Sequence, residues 1–145
     1  MKYPFMKALG EVWRCSNLYR TEQYESLGIG SYQDSYILNI CSHPGISQDA
    51  LTQLIYVHKS NVARQLASLE EKGFITRSPD PQDRRSLLVY PTQKATDAIP
   101  AIREVHRAWN ERVLRGFSES EREEVSILIL RLAENAKCAL DKAEE

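Results

Sequence analysis

Two amphipathic helical periods separated by only three residues constrain this chain more than any other feature. Ser47 is a natural N-cap, and Ile46 before it and Leu51 four residues after it are spaced as a hydrophobic staple, so a helix is predicted from there to about Ile55. After Tyr56, Val57 and His58 a second helix turns Val62, Leu66 and Leu69 to one side and ends at Gly73, which suits a left-handed terminator. So short a connection reads as helix-turn-helix. The next residues reinforce that architecture. Phe74–Ser78 and Ser86–Tyr90 are strand-like runs on either side of Pro79-Asp80-Pro81-Gln82-Asp83-Arg84-Arg85, a charged, turn-rich loop, and together they predict a hairpin wing.

Helical spacing governs the rest of the chain. From Phe5 to about Ser26, Phe5, Leu9, Val12, Ser16 and Tyr19 trace one face, with Trp13 and Leu18 beside it, until Gly28 and Gly30 break the run. Ser31 is placed to cap a second helix with Asp34 as a short-armed capping-box partner; Tyr36, Ile37, Ile40 and Cys41 point inward until His43-Pro44-Gly45 stops it. Thr92 is placed to cap a long fifth helix carrying Ile99, Ile102, Val105, Trp109 and Val113, with a bend expected at Pro100 and an end near Gly116. Ser118-Glu119-Ser120-Glu121 is a capping box opening a sixth helix, whose Val125, Ile127, Leu128, Ile129, Leu130 and Leu132 make its first half apolar on nearly every side. A small winged core cannot cover the first helix and the last two, so these are expected to pack against the same helices of a second copy in a two-fold dimer. The 145 residues thus read as one mainly α domain with a small β-hairpin: a winged helix-turn-helix lobe over 31–95 and dimerisation helices over 1–30 and 96–145.

Composition narrows the function. A net charge of −1 excludes a polybasic binder whose affinity is spread over the whole surface, so a nucleic-acid site must be a local patch. No stretch approaches the roughly 18 apolar residues of a membrane span. Cys15, Cys41 and Cys138 lie far apart without a CxxC pair, which fits a reducing, cytoplasmic setting. The sequence contains no Ser-His-Asp set, no phosphate-cradling glycine loop and no HExxH, and Glu123-Glu124 reads as the acidic first turn of a capped helix, so an enzyme is not expected.

The patch is found on the predicted fourth helix and the wing. With Val62, Leu66 and Leu69 inward, Lys59, Ser60, Asn61, Arg64, Gln65 and Ser68 are left outward, offering guanidinium and amide forks of the kind that read guanine and adenine in the major groove. An isolated helix could carry such residues merely as its solvated side. Charge separates the two readings: Tyr56 to Ala95 holds seven basic and four acidic residues, a net +3 that leaves −4 on the remainder. Arg84 and Arg85 stand at the hairpin, where a narrow minor groove attracts guanidinium groups. Asp83 beside them either orients an arginine or closes the turn.

These residues carry a resemblance. Asn61-Val62-x-Arg64, Leu69-Glu70-x-x-Gly73-Phe74-Ile75, Asp83-Arg84-Arg85 and Thr92-x-x-Ala95, in this order and spacing, resemble the signature of the MarR/SlyA family of bacterial transcription regulators, and the flanking helices fit the same plan. Ala95 stands where many relatives have Gly, an accepted variant. The resemblance implies a homodimer of winged lobes, a fourth helix reading the major groove of a pseudo-palindromic operator, and wing arginines in the minor groove. By position, Arg85 matches the family's most characteristic wing arginine and Asp83 the acidic residue two before it. It also implies a repressor released by a small, often aromatic and anionic, effector held in a crevice between the dimerisation helices and the lobe. Trp13, Tyr32, Tyr36 and Trp109, with Arg14 or Arg20 as anion partners, are the candidates for that crevice, against the plainer reading that they are core aromatics.

Other sensing modes of the family fit less well. Cys15 with Tyr19 one turn later invites a redox reading, but Cys15 lies only 12 residues before Leu27-Gly28, close for a sensor cysteine of this family, and it reads instead as a small apolar residue at a helix interface. Zinc sensing would draw on His43 near Cys41, His106 near Glu104, and Glu22 or Glu25, yet Asn110 stands where a second histidine would follow His106 by one turn. No metal or cofactor is therefore expected, and His58 reads as a helix cap or phosphate contact. The alternative from another class is a winged helix that meets a protein, for which salt-insensitive binding would be the mark.

Overall fold

In a computed structural model, residues 2–141 are described; Met1 and residues 142–145, the ends of the expected single domain, lie outside the described residues. The chain forms two compact units, one up to Trp109 and one from Asn110.

The first unit contains α1 (Phe5–Tyr24), a 3₁₀ turn (Glu25–Leu27), α2 (Gln33–Ser42), β1 (Ile46–Ser47), α3 (Gln48–Ile55), α4 (Lys59–Glu71), β2 (Ile75–Pro79), β3 (Leu87–Pro91) and most of α5 (Gln93–Val113). Its core gathers Tyr24, Ile37 and Ile40, Leu51, Val62, Leu66 and Leu69, Phe74, Val89 and Ile102, so apolar residues from α1 through α5 meet in a single cluster. The helix-turn-helix forms where the spacing predicts it. The Ser47 hydroxyl accepts the Ala50 N–H at 3.1 Å, opening α3. No glycine closes α3; Tyr56 does so in the left-handed region at φ 59°, with its N–H on the Thr52 carbonyl. At the end of α4, Gly73 at φ +82° lets Phe74 N–H reach the Leu69 carbonyl and Gly73 N–H the Glu70 carbonyl, a Schellman ending in which buried Phe74 packs beside buried Leu69.

The wing is larger than a hairpin. β3 pairs antiparallel with β2 on one edge and with β1 on the other, with Ile46 opposite Val89 and Arg77 opposite the same residue. Two residues carry too little periodicity to read as a strand, and only the pairing with β3 makes β1 one. Gly45, at φ +83°, is pressed on the Tyr90 ring, which a Cβ would meet at 3.2 Å.

Three capping expectations need correction. Ser31 does not cap α2: Tyr32 holds the N-cap position without a side-chain bond, and the Gly30 N–H is taken by Gln33 Oε1 at 2.9 Å. Asp34 is not a capping-box partner but is buried at 1% exposure. Thr92 holds the N-cap position of α5 through its carbonyl, which accepts the Ala95 and Thr96 N–H groups, but its hydroxyl is no cap: it lies 2.6 Å and 3.0 Å from the Gly73 and Phe74 carbonyls and ties the start of α5 to the end of α4. The inward face of α1 also differs. Trp13, Asn17, Arg20 and Tyr24, at helical spacing, meet α2, while Phe5, Leu9 and Val12 stay exposed in the single chain.

In the second unit, α5 ends and α6 (Glu119–Asp141) begins at the expected capping box. Glu121 Oε2 accepts the Ser118 N–H at 2.8 Å, and Ser118 Oγ accepts the Glu121 N–H at 3.2 Å. Arg122 binds the Leu114 carbonyl and Glu111, fastening the turn. No residue of α6 is buried: Ile127, Ile129 and Leu130 are all more than half exposed.

Candidate nucleic-acid interface and adjoining cavity

The cations counted along the sequence are not equally available. Arg77 is held by Glu70, which accepts both its backbone N–H (3.0 Å) and its guanidinium (3.2 Å). Lys72 reaches Gln33 Oε1, and Lys94 covers the Phe74 ring with its ammonium on the Lys72 carbonyl. Among the described residues Lys59 makes an exposed pair with Asp49. Arg84 and Arg85 are exposed at the wing tip and make no ion pair among the described residues. The tip is closed by its own hydrogen bonds. Asp80 Oδ1 accepts the Gln82 N–H, Asp83 Oδ1 accepts the Arg85 N–H at 3.1 Å, and the Asp80 N–H closes on the Ser86 carbonyl. Asp83 therefore closes the turn, and through that bond holds the Arg85 backbone. A small cleft of about 80 Å³ brings Arg85 beside Lys59, Gln48 and Asp49, so the wing adjoins the start of the recognition helix.

On α4 the outward residues split into two groups. Lys59, Ser60 and Arg64 are exposed, and Arg64 Nη2 donates to Asn61 Oδ1. Gln65 and Ser68 are half-buried and turned to α2, where Gln33 Nε2 donates to Gln65 Oε1 at 3.1 Å and to Ser68 Oγ at 3.0 Å. Gln33 is only 4% exposed and also receives Gly30 N–H and Lys72 Nζ, so it positions the back of the recognition helix. Sequence reading missed it; a polar residue next to a presumed capping box gives no sign of burial.

Asp34 was the other omission. Its Oδ2 accepts from Arg20 Nη1 (2.9 Å), Tyr24 OH (2.8 Å) and His106 Nε2 (2.8 Å), joining α1, α2 and α5, while Oδ1 takes the Ser35 N–H. Burial opposes the charge, but the bonds from His106, Tyr24 and Arg20, with the guanidinium's field, outweigh it and hold the carboxyl below its ordinary value. Burial and the same carboxylate push the Tyr24 phenol well above its ordinary value. The available signal was Arg20 and Tyr24 one turn apart on one face of α1.

Above this cluster lies an open cavity of about 630 Å³. Four of the expected effector-site residues, Trp13, Arg20, Tyr32 and Tyr36, line it, together with Tyr56, Val57, Asn61 and Arg64. Trp13 and Tyr32 stand 6.2 Å apart, and the Arg20 guanidinium lies over the Trp13 ring. The other two candidates are elsewhere. Trp109 packs on Tyr19 at 5.3 Å, and Arg14 is exposed on α1, folded over Gly10.

The histidines do not converge. His106 is on Asp34, His43 Nδ1 is 3.0 Å from the Asn39 carbonyl, and His58 holds the N-cap position of α4 through its carbonyl, with no side-chain cap bond. Among the described residues no three His, Cys, Asp or Glu side chains are grouped to hold a metal. The cysteines are free thiols, Cys15 and Cys138 exposed and Cys41 half-buried. Among the described residues no helix is long and apolar enough to cross a membrane.

A helix-turn-helix flanked by a three-stranded wing with exposed arginines at its tip defines a winged helix protein of the transcription-regulator type. The sequence profile of the MarR family matches residues 33–87. An uncharacterised HTH-type transcriptional regulator of Bacillus subtilis (strain 168), YybA, is 29% identical over 130 residues, covering 90% of this chain and 87% of the relative. The crystal structure of MarR is 34% identical over 92% of this chain and 98% of that one, with a TM-score of 0.85. A Listeria monocytogenes protein described as a MarR family regulator and solved with 26mer DNA shares the fold at a TM-score of 0.85 and 23% identity, covering 96% of this chain and 92% of that one. The chain belongs to the MarR family of transcriptional regulators.

Proposed function

We propose that this regulator is a cytoplasmic, sequence-specific repressor that binds a pseudo-palindromic operator as a homodimer, and that its role is binding without catalysis. The observation that carries the DNA reading is the wing tip: Arg84 and Arg85 are exposed and without ion pairs among the described residues, and Arg85 shares a cleft with Lys59 at the start of α4. In this reading the wing arginines enter the minor groove, and Lys59, Ser60, Asn61 and Arg64 reach the major groove from the first two turns of α4. Gln65 and Ser68 contribute from behind, through Gln33. Relatives support the reading, above all the Listeria monocytogenes protein complexed with 26mer DNA.

The second copy covers what a single chain leaves open. Ile127, Leu128, Ile129 and Leu130 of α6 are exposed, and in the other unit so are Leu9 and Val12 of α1; runs of exposed apolar side chains of this kind are what a second copy buries. A small effector occupies the cavity lined by Trp13, Arg20, Tyr32 and Tyr36 and favours a dimer geometry that no longer fits successive major grooves about 34 Å apart.

Selection of duplexes from a random library by the purified protein, followed by titration of the selected duplex at several salt concentrations, tests the reading. A two-fold symmetric site and a steep salt dependence are expected. Recovery of no preferred sequence, with weak and salt-insensitive binding, would overturn it in favour of a protein-binding winged helix.

A further inference from the structure

Thr92-x-x-Ala95, the last motif of the sequence signature, touches neither the wing tip nor the outward face of α4. Its role lies where two chain segments meet. The β2–β3 ladder ends with Ile75 opposite Pro91, and bonding between the two segments runs on beyond that pair. The Phe74 carbonyl accepts the Thr92 N–H at 2.9 Å, and the Thr92 hydroxyl lies 3.0 Å and 2.6 Å from the Phe74 and Gly73 carbonyls. Further along, the Lys94 ammonium donates to the Lys72 carbonyl at 2.7 Å and stands 4.5 Å from the centre of the buried Phe74 ring. Three successive carbonyls at the end of α4 are thus held by the N-cap and first turn of α5, at the helix terminus where a cation is favoured. Ala95, fully buried, lets that turn sit in the core with no side chain beyond Cβ. The charge of Lys94, part of the +3 over Tyr56 to Ala95, is therefore committed to the protein's own backbone.

We propose that Thr92 and Lys94 are positioning residues for operator binding: they fasten the end of α4 to the start of α5, so that the spacing between two half-sites is read through that corner. This rests on reading α4 as the DNA-reading helix of a homodimer. The candidate base-reading side chains, Lys59 to Arg64, stand at the opposite end of α4 from the corner. A helix of 13 residues is about 20 Å long, so a tilt of about 10° at the corner moves its far end by about 3.4 Å, one base-pair step. Burial of Leu69 and Phe74 holds the corner in the core, but apolar contact is non-directional. Hydrogen bonds to three carbonyls are directional, and they fix the angle.

The test compares wild type with Thr92→Val and Lys94→Met, which lose the side-chain bonds and keep the shape, and with Thr92→Ser and Lys94→Arg, which keep a donor. Fluorescence anisotropy measures the affinity of the full chain for the selected duplex, and for duplexes with a base pair added or removed between the half-sites, over a salt series. Circular dichroism checks that each variant folds. The ratio of affinities for selected and shifted duplexes should fall by about twofold to thirtyfold in Thr92→Val and Lys94→Met, with the salt slope unchanged. Thr92→Ser and Lys94→Arg should keep the wild-type ratio. Loss of folded protein lowers affinity for every duplex alike and leaves the ratio unmoved, which separates positioning from stability. In the free chain, hydrogen exchange of the Gly73 and Phe74 amides, which bond the Glu70 and Leu69 carbonyls, should speed up in the same two variants. An unchanged ratio or unchanged exchange in Thr92→Val and Lys94→Met overturns the proposal and leaves the operator reading standing. A salt slope reduced by about 1 in Lys94→Met makes that residue a phosphate contact and overturns its positioning role. Failure to select a two-fold symmetric duplex overturns the operator reading and the proposal with it.

Discussion

Replacing Asp34 by Asn keeps the shape of the side chain and removes the charge at the junction of α1, α2 and α5. In the native chain one carboxylate oxygen accepts from Arg20, Tyr24 and His106, all within 2.9 Å, at 1% exposure. Without the charge the Arg20 guanidinium remains buried with no anion beside it. Breaking a buried pair in this way costs about 3–5 kcal/mol, a large share of the roughly 5–15 kcal/mol that holds a domain together. With a urea dependence of roughly 2–3 kcal/mol per molar, the unfolding midpoint should fall by about 1.5 M. The measurement is urea unfolding followed by circular dichroism at one fixed protein concentration, since association would couple concentration to stability. Adding Arg20→Met to the same chain should restore part of the loss, because an apolar replacement removes the orphaned charge. The pH dependence has a definite sign. The carboxyl is held below the ordinary aspartate value of 3.8, so its stabilisation is fully present above that value and is lost as pH falls through the lower folded value. The gap between wild type and Asp34→Asn should thus be constant near neutrality and close in acid. A midpoint shift below about 0.3 M, or a gap that widens below pH 4, would refute the assignment of Asp34 as an ionised structural hub.

Three further outcomes follow from the same geometry. Arg85→Ala should weaken binding to every duplex and reduce the slope of log affinity against log salt by about 1, measured by fluorescence anisotropy over a salt series. Gln33→Leu strands Gln65, Ser68 and Lys72, and should cost about 1–3 kcal/mol in urea unfolding while relaxing base preference in a repeated duplex selection, with the salt slope unchanged. Leu130→Asp places a charge on the exposed apolar side of α6 and should convert a dimer to a monomer in sedimentation velocity; an unchanged coefficient would move the dimer interface elsewhere.

Local chemistry made much of the architecture legible. Ser47, the Ser118–Glu121 pair and Gly73 act through backbone groups a few residues away, so their roles are written in short segments, and each is found in the structure. The apolar positions of α4 were equally plain, since Val62, Leu66 and Leu69 share one helical face. The same reasoning failed where a polar side chain had two possible partners. Ser31, Asp34 and Thr92 each stand at a helix start, and proximity alone favours capping; Asp34 instead meets Arg20, Tyr24 and His106, the last 72 residues away.

Sequence by itself determined the helix-turn-helix, the wing hairpin, the cationic tip and the family, because each rests on spacing or on charge within about 35 contiguous residues. Tertiary structure alone decided which cations remain available, with Arg77 drawn to Glu70 and Lys72 to Gln33 while Arg84 and Arg85 stay exposed. It also decided that β1 joins the sheet, that Trp109 leaves the cavity for Tyr19, and that Arg64 faces it. The physical reason is common to all of these: pairing between polar side chains distant in sequence is chosen by how the apolar core folds the helices together, and no local pattern records that choice.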